Sequence, residues 1–506
     1  MIDLKEITYE IEHSTLTEQG ALTAAKSFFL ADSGTIALPE NRNDPSTRMI
    51  ELPIIRIRAT GNAVGVPVFW FGGGPGRSNL STFGFDYFIE RHDHVMFGYR
   101  GVDGSISLDC PEVVRVLKRA KDVLTDETIA DVGDAYEACA ARLEQEGVDI
   151  NGYTTFDVIG DAEAVRKALG YDKINIISES YGTRLAYLYG VKYPDRVHRS
   201  VMIGANPPGR LVWDPYQADE LLRHYGKLWS EDLQASAKCP DLVNAVREVN
   251  ENMPRHWLFL PIYPGNVKAA AFAVLSERKT AKIVFDAYCA AARGDPSGLW
   301  LASFAARYIF PEIVNWGDNA SKAVSADFDP SRDYANEMIP EDAVMGAPLG
   351  RFLWGPGGHW PIDPIPEEYR RLRRCDVETL ILSGTLDFTT PAVNAQNDLL
   401  PYLPNGRQIV MAEFGHLTDI WTLQPSTTYR ILTSFLETGV PDVSTLTYEP
   451  MDFEVRWGYP RIAKLIIAGV LLSVLIVAVL IWQMLRVVRR RRINRIRKAY
   501  SLGKQT

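Results

Sequence analysis

Short apolar runs rich in β-branched and aromatic residues alternate with amphipathic helical patterns along most of the chain. Where turn residues flank such a run, a strand is predicted. The predicted strands are 47–58, 66–71, 94–99, 173–177, 199–203, 377–383 and 407–411. Apolar residues at helical spacing from Val158 to Leu169 predict a helix packed on the sheet. Strands that alternate with helices indicate an α/β fold with a mostly parallel sheet.

The strand signals fade between residues 208 and 374, where helical patterns, tryptophans, prolines and turns dominate. We therefore predict a helical insertion over 208–374. It divides the α/β core into a first part, 1–207, and a second part, 375–447. A linker follows at 448–464.

The most apolar stretch lies near the C-terminus. Residues 465–482 contain no charged side chain, and a helix over 465–485 is long enough to cross a hydrocarbon core of about 30 Å. Trp457, Tyr459 and Trp482 stand at its two ends, where interfacial aromatic residues are enriched. The pattern predicts one transmembrane helix in contact with a lipid bilayer, followed by a basic tail over 486–506.

Charge divides the chain at the same place. Residues 461–506 hold 11 of the 54 Lys and Arg and none of the 63 Asp and Glu, which leaves residues 1–460 with a net charge of −20. An acidic body argues against a nucleic-acid partner. The basic tail predicts a cytoplasmic C-terminus and an extracytoplasmic body. The first 20 residues show no apolar signal-peptide segment, so either the start lies upstream of Met1 or the body is cytosolic.

The five cysteines include no C-x-x-C pair, which argues against a metal or redox motif, and no metal site is predicted. Cys110 and Cys139 could form a disulfide if the body is exported, and two inert buried thiols are the alternative.

A candidate nucleophile lies directly after the predicted strand 173–177. Residues 178–182 read Ser-Glu-Ser-Tyr-Gly, close to the G-x-S-x-G pattern in which small residues allow a sharp strand-to-helix turn. Ser178 replaces the first glycine. Residues 499–503 match the relaxed pattern equally well, but no strand precedes them. The context makes Ser180 the predicted nucleophile, and a plain turn serine is the alternative.

A glycine-rich segment, Gly-Gly-Gly-Pro-Gly at 72–76, follows the predicted strand 66–71. The backbone N–H groups of Gly73 and Gly74, together with that of Tyr181, are predicted to form an oxyanion hole. A phosphate-binding loop is disfavoured, because no Gly-Lys-Ser/Thr follows.

A serine nucleophile needs a base and an acid that orients the base. Asp387 follows the predicted strand 377–383, and His416 follows the strand 407–411. Of the eight histidines, His416 alone lies downstream of Asp387. The order Ser-Asp-His therefore predicts a triad of Ser180, Asp387 and His416, which needs no cofactor.

These motifs resemble those of the proline iminopeptidase and tripeptidyl aminopeptidase family of serine peptidases, which have the α/β-hydrolase fold. Gly72 stands where that family has a histidine in its oxyanion loop. The resemblance covers roughly 33–207 and 375–440, and its motifs are 73–76, 99–105, 180–183, 383–391 and 415–416.

The resemblance implies an aminopeptidase whose inserted helical cap sets specificity and whose carboxylates hold the substrate's free α-amino group. The candidates for that role are Glu179, Glu312 and Asp318, each of which could instead be a solvated surface carboxylate. Arg100 and Asp103 are expected to brace the active-site loop. A carboxylesterase or lipase acting on ester substrates is the alternative activity. A catalytically silent hydrolase fold used as a binding module is the alternative of another class, and the oligomeric state stays open.

Overall fold

A computed structural model describes residues 4–16, 22–62, 64–82, 84, 86 and 88–502. The outermost residues of the predicted basic tail, 503–506, lie outside this range, as do residues 1–3 and 17–21 of the N-terminal stretch.

The described residues form a nine-stranded main sheet with the order β1-β2-β3-β5-β4-β6-β7-β10-β11. Strands β1 to β3 pair antiparallel, β3 pairs antiparallel with β5, and the remaining pairs are parallel. Two short strands, β8 and β9, form a separate hairpin. The bounds are β1 Lys5–Leu16, β2 Leu22–Pro39, β3 Met49–Ile57, β4 Val68–Phe71, β5 His94–Phe97, β6 Ile174–Glu179, β7 Val197–Ile203, β8 His256–Trp257, β9 Leu260–Pro261, β10 Thr379–Gly384 and β11 Gly406–Met411.

Every strand predicted from the sequence overlaps a strand of this sheet, with ends displaced by a few residues. The N-terminal hairpin β1–β2 was missed. Its signal was present, because Ile7, Tyr9 and Ile11 alternate with polar residues, the period expected of a strand. β4, β6, β7 and β10 are buried along their whole length or nearly so, as expected of parallel strands covered on both faces.

Helices pack around this sheet and fill the segment between β7 and β10. The core helices before the insertion are α1 Pro111–Arg119, α2 Asp126–Gln145, α3 Thr155–Ala168 and α4 Tyr181–Lys192. The segment between β7 and β10 contributes α5 Pro215–Glu231, α6 Leu233–Lys238, α7 Leu242–Glu251, α8 Pro264–Val274, α9 Arg278–Ala292, α10 Ser297–Tyr308, α11 Trp316–Asp327, α12 Tyr334–Glu337, α13 Pro348–Trp354 and α14 Glu367–Arg370. The chain ends with α15 Ala392–Asn394, α16 Thr418–Thr422, α17 Pro425–Thr438 and α18 Tyr459–Leu502.

The helix predicted before the central strand is α3. Thr154 and Asp157 form a reciprocal capping box at its start, in which each side chain accepts a hydrogen bond from the other's backbone N–H. The predicted apolar face is buried, with Val158, Ile159 and Val165 packed into the core. A local capping signal and a hydrophobic stripe therefore specify the same element.

The C-terminal helix α18 begins on the body and then leaves it. Ala463 is buried, and the Ser297 hydroxyl at the start of α10 donates to the Pro460 carbonyl (3.4 Å). Lys464 forms an ion pair with Asp295 (2.6 Å). The following apolar side chains are exposed, and the span Tyr459–Asn494 is long and apolar enough to cross a membrane by length and composition.

Cys110 and Cys139 form a disulfide, with their Cα atoms 5.5 Å apart. The sequence had left this pairing open against two reduced thiols. The bond joins the residue before α1 to the middle of α2, so it ties together two helices of the first core part.

Candidate active site

Ser180 occupies a strained turn between β6 and α4. Its φ of 48° and ψ of −120° lie in a region that non-glycine residues rarely adopt. The Ser180 N–H donates to the Ile203 carbonyl at the end of β7 (2.8 Å). Gly182 is required by close packing, because a Cβ there would lie 2.0 Å from the Phe71 carbonyl oxygen. The turn thus presents Ser180 at the carboxyl end of the central strands.

Ser178, which departs from the expected glycine, is accommodated by a hydrogen bond. Its buried hydroxyl donates to the Val201 carbonyl on the neighbouring strand β7 (2.8 Å). A serine therefore fits at the position where the G-x-S-x-G pattern has its first glycine, because the hydroxyl donor is hydrogen-bonded inside the sheet.

Asp387 and His416 are joined by a hydrogen bond of 2.7 Å between Asp387 Oδ2 and His416 Nδ1. Asp387 lies in the loop after β10, and its Oδ1 accepts the backbone N–H groups of Thr389 (2.8 Å) and Thr390 (2.9 Å). The Thr390 hydroxyl donates to Asp387 Oδ2 (2.6 Å) and lies 3.0 Å from His416 Nδ1. Because Nδ1 faces the carboxylate, Nε2 is the ring nitrogen available to a substrate or nucleophile.

The electrostatics of this pair favour its charged form. Burial alone would raise the pKa of Asp387, but the charge of His416 and the hydrogen bonds from His416 and Thr390 hold that pKa below its usual value. Burial alone would lower the pKa of His416, but Asp387, Glu277 and Glu179 raise it above its usual value. The imidazolium that forms when a base takes a proton is therefore stabilised here.

Ser180 and His416 each lie against the end of β7. Ile203 accepts the Ser180 N–H, and the next residue, Gly204, lies against the imidazole, because a Cβ at Gly204 would be 2.8 Å from His416 Cε1. Within the described residues, no hydrogen bond from the Ser180 hydroxyl is present. Catalytic hydrogen bonds are often long before substrate binds, so this arrangement is compatible with a triad.

The glycine-rich loop after β4 lies against Ser180. A Cβ at Gly73 would be 3.0 Å from the Ser180 Cβ, which puts this backbone in contact with the turn. Among the residues that the structure describes, the N–H groups of Gly73 and Gly74 donate to no acceptor. Unpaired donors next to a serine are the geometry that an oxyanion hole needs.

The three carboxylates predicted to bind a substrate amine lie in different surroundings and have different partners. Glu179 is buried beside Ser180 and accepts a hydrogen bond from the Trp421 indole, and burial raises its pKa to about 7. Glu312 is exposed and forms an ion pair with Lys118.

Asp318 is completely buried at the start of α11, where it forms an ion pair with Lys322 and accepts the Gly76 N–H (2.8 Å). Its contacts are therefore those of a brace for the glycine-rich loop. Arg100 and Asp103, which were expected to brace the active-site loop, contact different parts of the core. Buried Arg100 pairs with Asp161 (2.6 Å), and Asp103 Oδ2 accepts the Tyr99 N–H (2.9 Å).

Two residues that the sequence did not single out hold the His416 loop. The Ser276 carbonyl accepts the His416 N–H (2.7 Å). Glu277 Oε1 accepts the N–H groups of Leu417 and Thr418, each at 2.9 Å. Both residues belong to the turn between α8 and α9, inside the insertion, and no local pattern connects that turn with residue 416.

A cavity of about 220 Å³ opens above Ser180. Its wall is mostly apolar, and Arg77 is the one charged residue among the residues that line it. None of the three carboxylates lines it. The lining residues are Gly74, Pro75, Arg77, Tyr136, Ser180, Tyr181, Asn206, Leu211, Trp213, Phe310, Val314, Asn319, Ala320, Ala323, Val324, Leu349, Leu353, Trp354, Gly357 and Thr389.

Two groups among the described residues have side-chain types that can ligate a metal. Cys110, Glu112 and Cys139 form one, but its cysteines are joined in the disulfide. The other consists of three exposed residues, Asp134, Glu137 and His359. Neither includes a residue of the Ser180 site.

Comparison with known proteins agrees with the fold. The family model described as alpha/beta hydrolase fold matches residues 66–261. The serine protease Hip1 of Mycobacterium tuberculosis is 29% identical over 224 residues, which are 41% of this chain and 42% of that protein. The tripeptidyl aminopeptidase of Streptomyces lividans is 26% identical over 242 residues, 45% of each chain.

The proline iminopeptidase of Lactobacillus delbrueckii subsp. lactis is 22% identical over 272 residues, which are 52% of this chain and 66% of that protein. The chain thus spans less than half the length of Hip1 and of the tripeptidyl aminopeptidase in these alignments. The resemblance seen in the motifs is confirmed: the chain has an alpha/beta hydrolase fold, and its matched region is similar to serine peptidases of that fold.

Proposed function

We propose that the chain is a serine hydrolase of the peptidase type, in which Ser180 is the nucleophile, His416 the general base and Asp387 the residue that orients the base. The observation that carries the proposal is the 2.7 Å hydrogen bond between Asp387 and His416, next to the end of β7 on which the half-buried Ser180 also lies. A buried acid paired with a histidine beside an accessible serine is the arrangement that activates a hydroxyl.

The reaction follows from this arrangement. Ser180 Oγ attacks the carbonyl carbon of the substrate, and its proton passes to His416 Nε2 while Asp387 stabilises the imidazolium. The N–H groups of Gly73, Gly74 and Tyr181 donate to the oxyanion, and one such donor is worth roughly 3–4 kcal/mol. His416 then protonates the leaving group, and water hydrolyses the acyl-enzyme. The step requires no cofactor.

For the substrate we propose a peptide cleaved from its N-terminus. The names of two similar proteins, an aminopeptidase and an iminopeptidase, support this class. The inserted segment 208–374 would then be the cap that limits substrate size, since its residues line most of the Ser180 cavity. Glu179 is the proposed carboxylate nearest to the nucleophile.

An esterase acting on apolar acyl groups is the second candidate. The observation that favours it is the apolar wall of the Ser180 cavity, which has no carboxylate to hold a substrate amine. An apolar wall stabilises a hydrocarbon substituent in proportion to the area that it buries.

We further propose that α18 anchors the body to a membrane through residues 465–485, with the basic tail in the cytoplasm and the body outside. Support comes from the apolar, exposed surface of this helix and from the arginines that follow it. The Cys110–Cys139 disulfide supports the same orientation, because such bonds persist in oxidising compartments.

The test compares the full chain with its Ser180→Ala variant on free-amine alanyl and tripeptidyl anilides, their acetylated counterparts and a short nitrophenyl ester. Ser501→Ala is the matched control, because Ser501 holds the same place in the second copy of the motif. Ser180-dependent cleavage of the free-amine anilides alone is expected. Cleavage of the ester alone would replace the peptidase by the esterase. Failure of a fluorophosphonate to label Ser180 would reject the serine hydrolase and favour a catalytically silent hydrolase fold that acts as a binding module.

A further inference from the structure

A second cavity, of about 210 Å³, lies inside the insertion next to the Ser180 cavity. Its wall is formed chiefly by one face of α8 and one face of α10, and no charged side chain is among its lining residues. The two cavities share Phe310 and Leu349 as wall residues. We call this second space the side cavity.

The side cavity exists because small residues face each other across the two helices. Ala270 and Ala273 on α8 stand opposite Ala302 and Ala305 on α10, and larger side chains at these positions would fill the space. Ala273 is exposed at its edge. A concave apolar surface that opens to solvent is typical of a ligand site, because leaving it hydrated is unfavourable.

The position of the side cavity indicates its occupant. Tyr459, the first residue of α18, is part of its wall. Leu465, where the apolar run begins, is six residues further along the helix, a rise of about 9 Å. The cavity is therefore bounded on one side by the nucleophile's cavity and on another by the start of the proposed membrane anchor.

We propose that the side cavity binds a hydrocarbon chain carried on the acyl part of the substrate, while the carbonyl of that acyl part lies at Ser180. The chain lies along Phe310 and Leu349, the residues that line both cavities. This inference rests on the proposed serine-hydrolase function and adds to it a substrate class, acyl groups that bear a long alkyl chain.

The experiment measures covalent labelling of the full chain in phosphatidylcholine nanodiscs by two fluorophosphonates, one with a methyl and one with a dodecyl group. Labelling forms a bond between Ser180 Oγ and phosphorus and releases fluoride, so intact-protein mass follows it directly. Ala270→Phe and Ala305→Phe fill the side cavity from opposite helices. Phe304→Trp adds bulk to an exposed position of α10 outside the wall and serves as the control.

The wild-type chain is expected to react faster with the dodecyl probe, by about fourfold for each methylene that the side cavity buries. Each filling variant should react with the methyl probe at the wild-type rate, while its ratio of dodecyl to methyl labelling rates should fall by at least about tenfold. The control variant should keep both the methyl rate and the rate ratio of the wild type. Equal probe rates in the wild type, or an equal loss in the control, would refute the acyl site while leaving the serine hydrolase intact. No labelling by either probe would refute both.

Paired substrates identify the source of the chain. Alanine and α-aminodecanoic acid anilides test a lipid-like N-terminal residue, and nitrophenyl acetate and decanoate test a fatty acyl ester. A chain-length preference that disappears in the filling variants within either pair supports the site and names its source. Its absence from both pairs contradicts the proposal.

Discussion

Replacement of Asp387 by Asn tests the proposed triad with least change in shape. Asp387 Oδ1 accepts two backbone N–H groups, from Thr389 and Thr390. The amide oxygen of Asn must keep that place, because an NH2 group there would face two donors. The NH2 group is therefore directed at His416 Nδ1, where Asp387 Oδ2 now lies at 2.7 Å.

The expected loss of catalytic rate follows from a change in the tautomer of His416. A donor at Nδ1 makes that nitrogen the acceptor and places the ring proton on Nε2, which can then no longer take the proton of Ser180. An amide in this position lowers kcat by about 10⁴-fold, equivalent to about 5.4 kcal/mol in the activation free energy. We expect Asp387→Asn to show a loss of this size with a nearly unchanged KM.

The assay is steady-state kinetics on whichever anilide or ester the wild type turns over, together with thermal unfolding. Asp419→Asn is the matched control, since Asp419 lies in α16, directly after the His416 loop, and accepts the Gly415 N–H (2.9 Å) without a hydrogen bond to the imidazole. The control should lose less than about tenfold. An Asp387→Asn variant within tenfold of the wild type would refute the assignment of Asp387 as the orienting acid.

The remaining predictions concern the pH dependence and the packing of the site. Glu277→Gln removes a charge that raises the pKa of His416, so the acidic limb of the kcat/KM profile should move to lower pH, and an unmoved limb would contradict the coupling. Gly182→Ala brings a Cβ to 2.0 Å from the Phe71 oxygen; thermal unfolding should show a loss of at least about 1–3 kcal/mol, and a wild-type midpoint would argue against the close packing. Glu179 has a folded-state pKa raised to about 7 by burial. The stability that this shift contributes is fully present below the unfolded-state pKa and is lost as pH rises through 7. Between about pH 4 and pH 8, the free energy of unfolding of Glu179→Gln should therefore rise by about 3 kcal/mol relative to that of the wild type. A difference in unfolding free energy that does not change with pH would contradict the raised pKa of Glu179.

Local patterns predicted the elements that carry the Ser180 site. The burial of β6 and β10 produces short segments rich in isoleucine and leucine, and the small residues around Ser180 mark the turn, so both signals lie within a few residues of the feature that they specify. The Asp318–Lys322 pair could have been found in the same way, because an acid and a base four residues apart on a helix face each other.

Long-range contacts had no such signal. Glu277 lies about 140 residues before the loop that it holds, and its carboxylate accepts backbone N–H groups that every residue possesses. Nothing in the sequence of either segment distinguishes this pairing from others. The cavities were equally invisible, since Ala305 and Ala270 form a wall only when α10 lies against α8.

The insertion holds the glycine-rich loop and the His416 loop in place through hydrogen bonds, in addition to lining the cavity at Ser180. On the side of the glycine-rich loop, the Asn315 N–H donates to the Gly76 carbonyl (3.0 Å) and Asp318 accepts the Gly76 N–H (2.8 Å). On the other side, the carbonyl before Glu277 accepts the His416 N–H (2.7 Å). Swinging the insertion away as a rigid lid would break these bonds, each worth about 1 kcal/mol or more, and would release both loops at once. Opening the insertion as a rigid body therefore carries a free-energy cost of about 3 kcal/mol or more, and we expect substrate to reach Ser180 mostly while these three bonds stay formed.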